Sequence, residues 1–120
     1  MQYPISWFGG LPSKFIAGSF GSSVELTLLT GGTAVKASNA KNILIDTFAD
    51  GASDDCDNIT GYSDGDLVLI RAAHTDRTVT MKDNANMNLQ SDFIMSNALR
   101  SMILLNTGSD TWVEMSRSAN

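Results

Sequence analysis

Alternation of apolar and polar side chains predicts β-strands over most of the chain. Residues 24–29 and 78–82 alternate apolar with polar positions, and this two-residue period is that of a strand with one buried face. Residues 67–70 and 102–105 are apolar at every position, which predicts strands covered on both faces. Residues 111–116 complete the set as a final strand.

Turn-forming residues separate these segments at intervals of about 10 residues, a spacing typical of β-sandwiches and barrels. The chain is therefore predicted to be all-β, a small antiparallel β-sandwich or open barrel formed as one domain by residues 24–120. The glycine pair 31–32 predicts a hairpin in which residues 33–36 return beside 24–29.

A competing helix is possible in residues 91–100. Ser91 is a capping residue, and apolar residues recur after it at helical spacing. The same segment contains a short strand candidate at 93–95, so the pattern leaves both structures open.

The charge of the chain is acidic and comes mainly from aspartate. The net charge is −5, with eleven Asp against two Glu, and Asp favours turns over helices. A net negative charge repels phosphate backbones, so no nucleic-acid partner is expected.

Residues 49–66 are predicted to be an acidic loop. Their carboxylates are either calcium ligands or turn caps, and the spacing lacks the closing glutamate of an EF-hand loop, which favours turn caps. The four candidate calcium ligands are Asp50, Asp54, Asp55 and Asp57.

Residues 1–23 are predicted to form an irregular N-terminal docking arm. Five of the nine aromatic residues lie here among glycines, with neither helical nor strand spacing. Aromatic side chains on such a backbone suit docking, either onto the domain itself or onto a partner. The predicted docking residues are Tyr3, Trp7, Phe8, Phe15 and Phe20.

Candidate reactive residues are few. Cys56 is the only cysteine, which excludes an internal disulfide, and it is interpreted as an inert thiol in a loop. His74 is the only histidine and is placed in a turn between two strands, without the setting of a catalytic triad. Neither Glu25 nor Glu114 shows a sign of burial, and Trp112 is expected to pack in the core. No catalytic residue, cofactor site or metal site is predicted, so the chain is not expected to be an enzyme.

The N-terminus lacks the basic start and apolar run of a signal peptide, and no segment approaches the roughly 20 apolar residues of a membrane helix. The expected product is a soluble protein without a membrane partner.

Residues 57–118 resemble a β-module of tailed-bacteriophage virion proteins. The resemblance is carried by Gly-Asp-Leu-Val-Leu at 65–69, Thr-Val-Thr-Met-Lys at 78–82 and Thr-Trp-Val-Glu-Met-Ser-Arg at 111–117. It implies a virion surface protein, commonly a trimer, that serves in fibres, spikes or capsid decoration.

Capsid decoration is the expected function. Without a shaft or coiled coil, a small chain with an aromatic start suits a homotrimeric cement protein that binds the major capsid protein. Such a protein would be made in the host cytoplasm and would end on the virion surface. The alternatives are a receptor-binding or structural module of a tail or head fibre, and a carbohydrate-binding β-sandwich.

Overall fold

The computed structural model describes residues 20–119 and confirms that the fold is all-β. The described residues contain a single turn of 3-10 helix at Phe48–Asp50 and no α-helix. The strands are β1 (Ser23–Thr27), β2 (Thr33–Val35), β3 (Asn42–Asp46), β4 (Ser53–Cys56), β5 (Asn58–Thr60), β6 (Leu67–Ala72), β7 (Thr78–Met81), β8 (Met87–Asn88), β9 (Phe93–Met95), β10 (Ser101–Gly108) and β11 (Thr111–Ser118).

The strands form three sheets around one core. Sheet A has the order β1-β3-β6-β10-β11-β8, sheet B pairs β2 with β5, and sheet C has the order β4-β7-β9. Strands β1, β3 and β6 run parallel to one another, as do β2 and β5, β4 and β7, and β8 and β11. The remaining pairs are antiparallel: β6 with β10, β10 with β11, and β7 with β9.

The parallel pairs arise because the chain winds in successive coils. Thr33 lies opposite Asn58 in sheet B and Ser53 opposite Thr78 in sheet C, so parallel neighbours are 25 positions apart in both sheets. A parallel connection needs about a dozen or more residues. Here strands of the other sheets supply that connection instead of a helix, in the manner of a short β-solenoid.

The predicted hairpin between residues 24–29 and 33–36 is wrong. Strand β1 pairs with β3, and β2 pairs with β5. Gly31 and Gly32 adopt left-handed backbone angles, with φ of 97° and 86°, and they turn the chain from sheet A into sheet B. In the described residues, antiparallel pairing is thus limited to β6 with β10, β10 with β11, and β7 with β9.

The helix considered for residues 91–100 is also absent, and the strand alternative is confirmed as β9. Phe93 and Met95 are buried while Ile94 is 51% exposed, which is the two-residue period of a strand. Pairing with β7 supplies backbone hydrogen bonds on one side of β9.

The acidic segment 49–66 is not a continuous loop, because it contains β4 and β5. Cys56 and Ile59 are fully buried there, while Ser53 and Asp55 are exposed. The sequence did not predict these strands because their outward-facing side chains are polar and resemble those of a loop. Their partners, β7 and β2, lie a full coil away in the chain.

The core is enclosed by all three sheets, and Trp112 lies in it as predicted. Its side chain is 2% exposed, its Nε1 donates to the Ile59 carbonyl oxygen at 2.9 Å, and its ring meets Tyr62 edge-on at 5.7 Å between centroids. Strand β11 of sheet A is thereby bonded to β5 of sheet B. The largest fully buried side chains are Trp112, Leu28, Ile43, Ile45, Ile59, Ile70, Met81, Met87, Met95, Met102, Leu104 and Val68.

Candidate functional site

The outer surface of sheet A carries a second, smaller apolar cluster. Leu69 of β6 lies opposite Ile103 of β10, and both point away from the main core because their neighbours in the strand point into it. They are only 2% and 3% exposed, and Phe20, Leu67 and Met115 pack against them. These five residues are called the outer apolar cluster below.

Phe20 brings the end of the predicted docking arm onto this cluster. The carbonyl oxygen of Gly21 accepts a hydrogen bond from Asn42 Nδ2 at 3.0 Å, which fixes the backbone between Phe20 and β1. Of the five predicted docking residues, Phe20 therefore contacts its own domain. The other four lie outside the described residues: Tyr3, Trp7, Phe8 and Phe15.

Glu114 and Arg117 form a buried ion pair that the sequence pattern did not reveal. Arg117 donates from Nε and Nη2 to the two Glu114 oxygens, each at 2.7 Å, and the Glu114 side chain is only 2% exposed. The Gln90 amide also donates to Glu114, while Arg117 reaches the Ser91 carbonyl oxygen and covers the Phe93 ring. The pair fastens β11 to the segment before β9.

A bulge explains why this pair was missed. Side chains three apart in a regular strand point to opposite faces. The pairing of β10 with β11 shifts between Ile103 and Leu104, which face Ser116 and Glu114, so that Met115 is an extra residue. The bulge puts Glu114 and Arg117 on one side. An acidic and a basic residue three positions apart in a strand, such as Glu114 and Arg117, indicate an ion pair only if a bulge between them is known.

Glu114 predicts a loss of stability in acid. Burial raises the pKa of its carboxyl. The hydrogen bonds from Arg117 and the Gln90 amide lower that pKa by more than burial raises it, so the pKa lies below its ordinary value of 4.5. A lowered folded pKa stabilises the protein above the unfolded pKa, and the stabilisation is lost as the pH falls through the folded value. The free energy of unfolding is measured by denaturant titration, without added metal, at several pH values from neutral to below 4.5. We expect it to fall less steeply with decreasing pH in Glu114→Gln than in the unsubstituted protein.

The matched control is Glu25→Gln, because Glu25 is the only other glutamate and its side chain is 47% exposed. Equal flattening in both variants, or none in Glu114→Gln, would contradict the assignment.

The acidic segment uses its carboxylates in turns and ion pairs. Asp54 accepts the amides of Phe48 and Asp55 at 2.9 and 2.8 Å, and Asp50 pairs with Arg77 at 3.0 Å. Among residues 20–119, the four candidate calcium ligands of this segment do not converge as a group. The turn-cap interpretation is confirmed for Asp54.

Cys56 is not a loop thiol. It ends β4, it is fully buried, and its Sγ lies 3.6 Å from the Asn58 carbonyl oxygen. Burial, helped by the nearby charge of Asp57, raises the pKa of this thiol to about 12. The thiolate is the reactive form of cysteine, so the raised pKa and the full burial of Cys56 both disfavour reaction at its sulfur.

Charged side chains cluster around Asp46, at the end of β3 and beside the turn that follows β6. Arg77 Nη1 contacts Asp46 Oδ1 at 3.0 Å and Oδ2 at 2.9 Å, and it reaches Asp50 as well. Burial raises the pKa of Asp46, but the bonds from Arg77 and the Thr47 amide hold it below its ordinary value. His74 occupies the predicted turn after β6 and faces the same carboxylate. The sequence did not place Asp46 in a site at all.

The sequence matches no protein-family model and no curated protein. In residues 20–119 no helix is long and apolar enough to cross a membrane.

Proposed function

We propose that the chain is a bacteriophage virion protein that decorates the outer surface of the head as a homotrimer and stabilises it. Its partner in this role is the major capsid protein. The observation that carries the proposal is the position of Phe20, which fixes the root of an aromatic arm on the outer face of a well-packed β-body. The resemblance over residues 57–118 supplies the class of protein.

The residues that carry the resemblance shape the body. Gly65 adopts φ of 90° in the turn before β6, Trp112 fills the core, and Glu114 and Arg117 pair under the bulge. Each of these four residues has a structural task in the described fold. This distribution favours a scaffold role, with the recognition surface elsewhere in the chain.

The arm is the proposed recognition element. Phe20 contacts the outer apolar cluster and anchors the arm to its own domain, while the aromatic residues before it contact the capsid. Trp and Tyr are enriched where binding energy concentrates at interfaces. An anchored root shortens the reach of the arm and reduces the conformational entropy lost on docking.

Trimerisation would strengthen such binding. Three linked arms make the second and third contacts intramolecular, so weak single contacts become tight binding without any new interaction. A trimer that spans joints between capsid subunits would resist their separation under genome pressure.

The test is binding of the full-length protein to emptied capsids. The double variant Trp7→Ser/Phe8→Ser should weaken binding by more than about tenfold, because each removes an aromatic anchor. Phe48→Ser is the matched control, since Phe48 is 49% exposed but lies outside the arm. Unchanged binding of the double variant, or equal loss in the control, would sink the arm assignment. Light scattering must give about three times 12.8 kDa for a trimer.

A fibre module is the second candidate, and the exposed strand edges at the first coil favour it. Among residues 20–119, β1 lies at one edge of sheet A and β2 pairs only with β5, so each offers an edge where another strand could add. Copy number in purified particles separates the candidates. Symmetric head decoration requires on the order of hundreds of chains, whereas fibres require on the order of dozens or fewer.

A further inference from the structure

We propose that Glu25, Asp46 and His74 bind one first-row transition-metal ion of the zinc type on the outer surface of sheet A. The three side chains come from β1, from β3 and from the turn after β6, which are neighbours in the sheet. The proposal does not depend on the capsid function, and it differs from the sequence-based expectation of no metal site.

Stacking of the coils brings these ligands together. Thr27 lies opposite Asp46, so the outward positions of β1 put Glu25 on the same face as Asp46. The Ala73 amide bonds to the Ile45 carbonyl oxygen at 2.8 Å, which sets His74 beside the end of β3. Two neighbouring parallel strands, β1 and β3, and the turn after the next strand, β6, thus supply one ligand each.

The distances suit a shared ion. His74 Nε2 lies 3.6 Å from Asp46 Oδ2 and 4.0 Å from Glu25 Oε1, and all three ligand atoms lie within 4.8 Å of one another. Zinc binds nitrogen and oxygen at about 2.0–2.2 Å in a tetrahedral arrangement, so two ligand atoms on one ion are about 3.3–3.6 Å apart. His74 and Asp46 already have this spacing, and the Glu25 side chain, which is 47% exposed, would rotate to bring its oxygen closer.

Asp46 has the surroundings of a held ligand. It is 5% exposed, and Arg77 and the Thr47 amide donate to its oxygens. A carboxylate has about four lone-pair sites, so these bonds leave room for a metal. Hydrogen bonds to ligating carboxylates orient them, and such outer partners are general features of metal sites.

The local charge also favours a cation. In residues 20–119 the cation bonded to this group is Arg77, which lies near Asp46, Asp50 and Asp76, and Glu25 lies on the other side of His74. The imidazole selects a zinc-type ion over calcium, which prefers oxygen ligands alone. Three protein ligands leave a coordination position for water.

A bound ion would join the strand edges of the first coils. Within the described part of the chain β1 pairs only with β3, so an ion held by Glu25, Asp46 and His74 would add a second link from β1 to its neighbours. An ion that binds only the folded chain raises its stability by RT ln(1 + L/Kd), where L is the free ion concentration.

The test is calorimetric titration of the full-length, chelator-treated protein with Zn²⁺. We expect one saturable site per chain and a rise in Tm at saturating zinc. His74→Asn and Glu25→Gln should each weaken binding by at least about tenfold, since even lost outer-shell partners cost about 10–100-fold. Both side chains are partly solvent-exposed, at 40% and 47%, and neither lies in the apolar core, so the variants should fold.

Asp76→Asn is the matched control, because it removes a nearby charge and no ligand. We expect its affinity to fall by less than about threefold, as for screened surface charges. Zinc binding that is absent, or that survives His74→Asn unchanged with the same rise in Tm, would overturn the site. An equal loss in Asp76→Asn would show attraction by charge alone and would overturn it too.

Discussion

Replacing Trp112 by alanine is expected to lower the free energy of unfolding by about 3–5 kcal/mol, the cost of a large aromatic cavity in a packed core. The indole is 2% exposed and meets Tyr62 edge-on, so its loss removes contacts that span sheets A and B. The Ile59 carbonyl oxygen also loses its donor at 2.9 Å. Domains of this size have about 5–15 kcal/mol in total, so urea titration should show a much lower midpoint or an unfolded chain.

The variant Trp112→Phe separates the ring from its hydrogen bond. It keeps most of the apolar volume but leaves the Ile59 oxygen unpaired, so a smaller loss of about 1–3 kcal/mol is expected. Ile94→Ala is the surface control, since Ile94 is 51% exposed on β9 and should change stability little. If Trp112→Ala costs no more than Ile94→Ala, the indole does not hold the sheets together.

The all-β class was predictable because it rests on local patterns. The alternation in β7 and the turn before β6 are each encoded by a few adjacent residues. The partner of each strand was not predictable, because parallel stacking joins residues a full coil apart. Gly31 and Gly32 show the difficulty, since the same glycine pair serves a hairpin or a corner between sheets.

The candidate sites followed the same division. The aromatic content of residues 1–23 marked Phe20 as a docking residue, but the partner on its own sheet, Leu69 with Ile103, became visible only with the strand order. The ligand group of Glu25, Asp46 and His74 assembles across three strands, so no spacing in the sequence reports it. Cys56 was misplaced because polar neighbours obscured a buried strand end.

Gly32→Ala is the second substitution with a large expected effect, a loss of about 2–5 kcal/mol from backbone strain and overpacking together. Gly32 has φ of 86°, a region that costs residues with a Cβ about 1–2 kcal/mol. A Cβ there would lie 2.5 Å from Asp57 Oδ2 and 2.7 Å from the Asp55 carbonyl oxygen. The Asp57 side chain can move, but the Asp55 backbone belongs to β4 and cannot move without disturbing it.

Gly31→Ala is the control for backbone strain alone, because Gly31 has φ of 97° and open space where a Cβ would lie. Both variants carry the strain of a left-handed backbone, so the difference between them measures contact between coils. The Gly32 carbonyl oxygen accepts from the Asp57 amide at 2.7 Å, which is the bond that the added methyl would stretch. Chemical denaturation of both variants should place Gly32→Ala at least about 1 kcal/mol below Gly31→Ala. Equal stabilities would mean that the coils at this corner are not in close contact, and the stacking of β2 on β5 would then need another explanation.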